Sequence, residues 1–222
     1  NRARTQADLV QAPPYSLSGA GVTVLVYDGG TGRATHVDFQ GRLSVGDSSG
    51  MSLHATHVAG TIGGAGVANP LYRGMAPGVT LLSYGLQGAG SGGPLYTNPG
   101  DLELDFADAI QLGGAVLANA SLGSNVEANG FDCDWQGDYG VTDALIDGIV
   151  RGALGTPFRA VWAGGNERYG TRCNVEGYDA YYSIAPPAGA KNHLTVGAVN
   201  SNDDSMTSFS SWGPTDDGRI KP

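Results

Sequence analysis

The sequence predicts an α/β domain built on a mainly parallel sheet, and three observations carry that prediction. Five short runs, at 22–27, 79–82, 115–120, 158–163 and 194–199, are largely apolar on both faces, as strands of a sheet covered on both sides should be. Helical patterns fall between them, giving the strand–helix alternation of a parallel sheet. Glycine, at 37 of 222 residues, supplies the tight turns and close backbone approaches such a chain needs.

The elements follow in order. The first strand, 22–27, ends at Asp28, just before the turn Gly29-Gly30. Residues 54–62 are small and apolar and read as a buried helix opening on His54. After the second strand, Gly88 to Gly93 match G-x-G-x-x-G, but Pro94 and Pro99 delay any helix, so a dinucleotide site lacks its context. Residues 102–112 carry Phe106, Ala109 and Ile110 among acids and read as a helix. The third strand, 115–120, ends in Ser121-Leu122-Gly123, and the polar stretch 124–140 reads as a surface loop holding Cys133. A helix is expected over 141–154, with Val141, Leu145, Ile149 and Ala153 at four-residue steps and Thr142 and Asp143 suited to its start. The fourth strand, 158–163, ends in Ala163-Gly164-Gly165-Asn166, and 194–199 is the last. No repeat or long linker divides the chain, so 1–222 reads as one domain.

Composition narrows the function. A formal net charge of −9 argues against electrostatic binding of nucleic acid or an anionic membrane. No stretch approaches the roughly 20 apolar residues of a membrane span. The chemistry of a parallel sheet collects at the C-terminal ends of its strands, where Asp28 and Asn166 sit. Asp28 alone also fits a turn-forming Asp before glycine. His54 and His57, three apart, share one helix face as a metal pair, a satisfied core histidine, or a catalytic base with a structural companion; no H-E-x-x-H accompanies them. Asn166 fits either an αL turn or a side-chain donor to an oxyanion.

Asp28 at a strand end, then His54-Ala55-Thr56-His57-Val58-Ala59-Gly60-Thr61, then Asn166 at another strand end, resembles the subtilisin-like serine proteases. The resemblance runs from about residue 20 to 222 apart from 124–140, and includes Tyr72-Arg73-Gly74-Met75-Ala76-Pro77 and Phe209-Ser210-Ser211-Trp212-Gly213-Pro214. It implies a three-layer fold, incomplete at its C-terminus, and a serine-type endopeptidase cutting peptide or protein substrates. In that reading Asp28 orients the imidazole, His54 is the general base, His57 is structural and Asn166 donates to the oxyanion. Gly90-Ser91-Gly92 and Ser121-Leu122-Gly123 resemble the edges that pair with an extended substrate, and Ala163-Gly164-Gly165 a wall of the S1 pocket.

The sequence departs from the family pattern in having Asp28-Gly29-Gly30 for Asp-Ser/Thr-Gly, Ala55 for a glycine, and Gly165 where Ala is common. The Gly-Thr-Ser-Met-Ala segment that carries the nucleophile in the family is absent, so the resemblance implies a serine in a C-terminal piece outside this chain, and a C-terminal fragment of the same enzyme as a separate chain joins peptide substrates among the expected partners. Loops holding Cys133 and Cys173 would leave the same end of the sheet, which implies a disulfide and a secreted, extracellular enzyme. The chemistry requires no cofactor; structural calcium is common in the family, and Asp38 resembles one ligand, with the metal sites otherwise open. The rivals are a catalytically inactive subtilase-like binding or scaffold module, and a metalloenzyme using Asp28, His54 and His57.

Overall fold

The computed structural model describes residues 2–87, 95–170, 173–174 and 177–221. The chain divides into two compact units, residues 1–86 with 104–119, and 87–103 with 120–222.

In the first unit a short helix, α1 (Ala7–Gln11), precedes the sheet, in which β1 (Thr23–Asp28), β2 (Leu43–Val45), β3 (Thr80–Gly85) and β4 (Leu117–Ala120) lie in the order β2-β3-β1-β4. β3 runs parallel to both β1 and β2, with Asp28 level with Gly85. Alternate residues of β1 face opposite ways. Val24 and Val26 pack with Phe39, Leu43 and Leu81 and with Ala59 of helix α2 (Leu53–Gly63). Tyr27 meets Phe106 of helix α3 (Leu102–Ala107) edge-on, with ring centroids 5.3 Å apart. The sheet is thus covered on both faces, which is why its strands read as unbroken apolar runs. The α2 end lies so close to β3 that a Cβ on Gly63 would come within 2.9 Å of Val79.

A guanidinium closes the bottom of this layer. Arg42 donates to the carbonyls of Val79 (2.8 Å), Asp38 (2.9 Å) and Gly63 (2.9 Å), so one cation gathers carbonyls from three segments. Hydrogen bonds to a charged group contribute about 1.5–3 kcal/mol each where they are shielded.

In the second unit, α4 (Val141–Val150) precedes β5 (Arg159–Ala163), which pairs in parallel with β6 (Leu194–Val196). Trp162 of β5 is fully buried, and its indole N–H donates to the Leu122 carbonyl at 2.7 Å. Cys133 and Cys173 are joined by a disulfide, with Cα atoms 5.3 Å apart.

Three of the expected elements end earlier than their sequence pattern, and the short strand β2 was not expected. The helix expected over 102–112 is α-helical only to Ala107 and widens to a π-turn over Asp108–Leu112. There Gly113 packs so tightly that a Cβ would lie 2.2 Å from Leu82. The helix expected to reach 154 stops at Val150, because Gly152 takes the left-handed region at φ 101°. The strand expected over 194–199 ends at Val196. None of the helices among the described residues is long and apolar enough to cross a membrane.

Candidate active site

Asp28 and His54 lie 26 residues apart and meet through the loop between them. After β1 the chain turns, and Thr31 exchanges backbone hydrogen bonds with residues just before helix α2: Thr31 N–H to Gly50 O and Ser52 N–H to Thr31 O, both 2.8 Å. This approach leaves no room at Gly30, where a Cβ would lie 2.9 Å from the Gly50 carbonyl. Ser52 then caps α2, its Oγ accepting the Ala55 N–H at 3.2 Å, so the helix begins one residue before His54.

The result is a carboxylate–imidazole pair. His54 Nδ1 stands 2.8 Å from Oδ1 and 2.9 Å from Oδ2 of Asp28. An ionised carboxylate only accepts, so Nδ1 carries the proton and donates, leaving Nε2 with its lone pair. Asp28 is 3% exposed and also accepts the Gly29 N–H at 2.8 Å, whereas the His54 side chain is 60% exposed. A buried anchor thus holds an accessible base.

In the second unit, Ser121-Leu122-Gly123 and Ala163-Gly164-Gly165 are held near each other by the Trp162–Leu122 hydrogen bond; the Gly164 N–H donates to Val196 O at 2.9 Å. Asn166 follows at the surface, its backbone N–H donating to the Glu167 carboxylate at 2.6 Å. Ser211 Oγ donates to that carboxylate at 2.9 Å and accepts the Glu167 N–H at 3.0 Å. Gly165 has φ 112°, and a Cβ there would lie 2.2 Å from the Glu167 carboxylate, so only glycine fits. Sequence reasoning missed Glu167 and Ser211 as the braces of this loop. The readable signal was a carboxylate directly after Asn166. Gly90, Ser91 and Gly92 lie outside the described residues.

His57 is exposed and does not join the Asp28–His54 pair by any hydrogen bond; it lines a separate cleft with His36 and Asp38. Among the described residues no group of three or more His, Cys, Asp or Glu side chains could hold a metal. Asp38 Oδ1 accepts the Ala68 N–H at 2.9 Å, and its backbone carbonyl is taken by Arg42 and Ala65.

Two groups away from the dyad are shifted mainly by burial. His193, beside the Trp162 ring, is pushed down to about 3 by burial and then by Lys221. Asp143, in the first turn of α4, is pushed up to about 6 by burial. Between pH 6.5 and 3 the unfolded chain binds more protons at position 193, so that contribution to stability is lost as pH falls. The Asp143 contribution has the opposite sign: it is full below about pH 3.8 and lost as pH rises through 6. His193→Gln should therefore gain stability relative to wild type as pH falls from 7 to 4.5, read as urea midpoints. A gap that stays constant over that range removes His193 from the acid response.

A carboxylate holding one imidazole nitrogen, with the imidazole exposed at the surface, is an arrangement suited to general-base work. The chain belongs to the subtilase family, whose model matches residues 19–222. It is 33% identical over 207 residues to the alkaline serine exoprotease A of Vibrio alginolyticus, covering 89% of this chain and 32% of that protein. It is 30% identical over 210 residues to the extracellular serine proteinase of Thermus sp. (strain Rt41A), covering 90% and 41%. The crystal structure of a cold-adapted subtilisin-like serine proteinase superposes with a TM-score of 0.59 at 25% identity, covering 89% of this chain and 62% of that one. The chain thus spans less than half the length of these two curated relatives.

Proposed function

We propose that the protein is a serine endopeptidase in which this chain supplies the base, its orienting carboxylate and the oxyanion donor. The carrying observation is the Asp28–His54 pair, with the imidazole held through Nδ1 and its side chain 60% exposed. In this mechanism Nε2 takes the proton of a serine hydroxyl as its Oγ attacks the scissile carbonyl. The side-chain amide of Asn166 donates to the resulting oxyanion. The imidazolium then passes the proton to the departing amine, and water repeats the sequence to release the acyl half. Substrate backbone pairs with the Ser121–Gly123 edge, and the P1 side chain enters between Ser121–Gly123 and Ala163–Gly165. This chemistry draws on protein groups alone.

The nucleophilic serine, in this proposal, comes from a segment outside residues 1–222. Its support is that several serines here are already engaged: Ser211 with Glu167, Ser210 with the Ala198 N–H, Ser52 with its helix and Ser183 with Trp212. β6 also ends the strand order, with Leu194 and Val196 exposed, an edge open to further chain. A disulfide and the extracellular naming of the Thermus relative support secretion. Calcium is assigned to no residue in this proposal: among the described residues no metal-holding group of acidic side chains gathers at Asp38, whose Oδ1 accepts the Ala68 N–H and whose carbonyl accepts from Arg42.

The test is to label the full-length protein with a serine-directed fluorophosphonate and map the adduct by mass spectrometry. Loss of peptidase activity with a single adduct beyond residue 222 is expected. Stoichiometric modification of any serine between Asn1 and Pro222 overturns this assignment.

A further inference from the structure

Beside the catalytic helix, within the first unit, lies a cleft of about 680 Å³ that the proposed chemistry does not use. Its walls carry Arg2, Arg73, His36 and His57, in a chain whose formal net charge is −9. Among the described residues the one acid lining it is Asp38, which is 9% exposed and whose Oδ1 accepts the Ala68 N–H. Arg2 is held by neutral partners, the Gln11 side chain at 3.1 Å and the Pro70 carbonyl at 3.2 Å. Arg73 is exposed, and among the described residues no carboxylate lies within ion-pair distance of either guanidinium. Leu71 and Tyr72, 80% and 76% exposed, add an apolar rim that suits an aliphatic stem.

The position of the cleft matters as much as its charge. Leu53 and His57, both in its wall, flank His54 on α2. His57 stands three residues on from the base, hence on the same helix face and within about one 5.4 Å turn. An extended peptide advances about 3.3 Å per residue, so a side chain two to four residues from the scissile bond would reach the cleft.

We propose that this cleft is a substrate subsite for an Asp or Glu side chain lying two to four residues from the bond that is cut. Two guanidiniums supply the charge and two imidazoles the additional hydrogen-bond donors, against an otherwise acidic molecule that repels such substrates. The assignment rests on the endopeptidase reading, and its test separates the two. In one arm, the full-length protein is titrated with a fluorescent Glu-containing heptapeptide and its Gln counterpart, followed by anisotropy. The Glu peptide should bind about 5-fold tighter, an exposed charge pair being worth up to about 1 kcal/mol. That preference should vanish in Arg73→Glu, shrink in Arg73→Ala, and fade in 0.5 M salt.

In the other arm, a neutral peptide and a set carrying one Glu at each successive position are assayed for cleavage. The expected gain in kcat/KM is about 5-fold at one or two adjacent positions, lost in Arg73→Glu while the neutral peptide is cut as before. A gain equal at every position, or one that survives Arg73→Glu, overturns the subsite. If the neutral peptide is not cut at all, the endopeptidase reading falls and the anisotropy arm alone decides the cleft: equal binding of the Glu and Gln peptides overturns it.

Discussion

Asp28→Asn in the full-length enzyme should lower kcat by about 10⁴, equivalent to about 5.4 kcal/mol of transition-state stabilisation. The substitution keeps the shape of the side chain and leaves an oxygen to accept the Gly29 N–H, so the turn after β1 survives. What changes is the group facing His54 Nδ1. An amide N–H in place of a carboxylate oxygen turns the acceptor into a donor, which forces the imidazole proton onto Nε2, where the lone pair is needed. The imidazolium that forms during attack also loses its counter-charge. Steady-state kinetics together with an unchanged thermal midpoint check this. Activity within tenfold of wild type would take Asp28 out of the mechanism.

The second large effect concerns stability. Cys133 and Cys173 are 40 residues apart, and the segment they close contains α4, β5 and the Asn166 loop. In the chain-entropy account, a closed loop of this length contributes about 4 kcal/mol by restricting the unfolded ensemble. Cys133→Ser with Cys173→Ser should therefore lower the unfolding free energy by about that amount in urea titrations. Because the bridge ends close to Glu167 in sequence, kcat should fall in the same variant through a looser oxyanion segment. Titration of wild-type thiols under denaturing, non-reducing conditions should find none, and two reactive thiols per chain would remove the bridge from the account.

Much of the architecture was legible because burial on two faces writes itself into sequence. β1 and β5 were found to within a residue or so, since their cores are apolar, whereas β3 was read only as far as Leu82 because the buried Ser83 interrupts its apolar run. β2 was invisible: of Leu43, Ser44 and Val45 only the first is buried, and an edge strand with one buried residue has no periodicity to read. The end of α4 was misplaced because apolar steps continued to Ala153, while the stop was written in Gly152, whose left-handed backbone outweighs the pattern. The residues of the dyad stood out by type and by their strand-end and helix-start positions. Their approach to within hydrogen-bonding distance did not, because it depends on Thr31 bonding across to residues 50 and 52, contacts between backbones that side-chain patterns do not encode. Glu167 was missed for the opposite reason: a carboxylate at the surface of a loop looks solvated until Ser211, 44 residues away, is seen to share it.

The turn that carries the catalytic carboxylate holds two adjacent glycines with different obligations. Gly30 is bound by the Gly50 carbonyl, as described above. Gly29 faces open space, with no atom within 4 Å of where a Cβ would stand, and its backbone lies outside the left-handed region. Nothing in the folded state calls for glycine there. Its presence instead enlarges the set of conformations open to the unfolded chain next to Asp28, all of which must be surrendered before the carboxylate can meet His54. A side chain at position 29 would shrink that set and raise stability by about 0.4–1 kcal/mol without touching a single native contact. A hydroxyl-bearing side chain beside this aspartate would meet no neighbouring atom at its Cβ, so native packing leaves position 29 open.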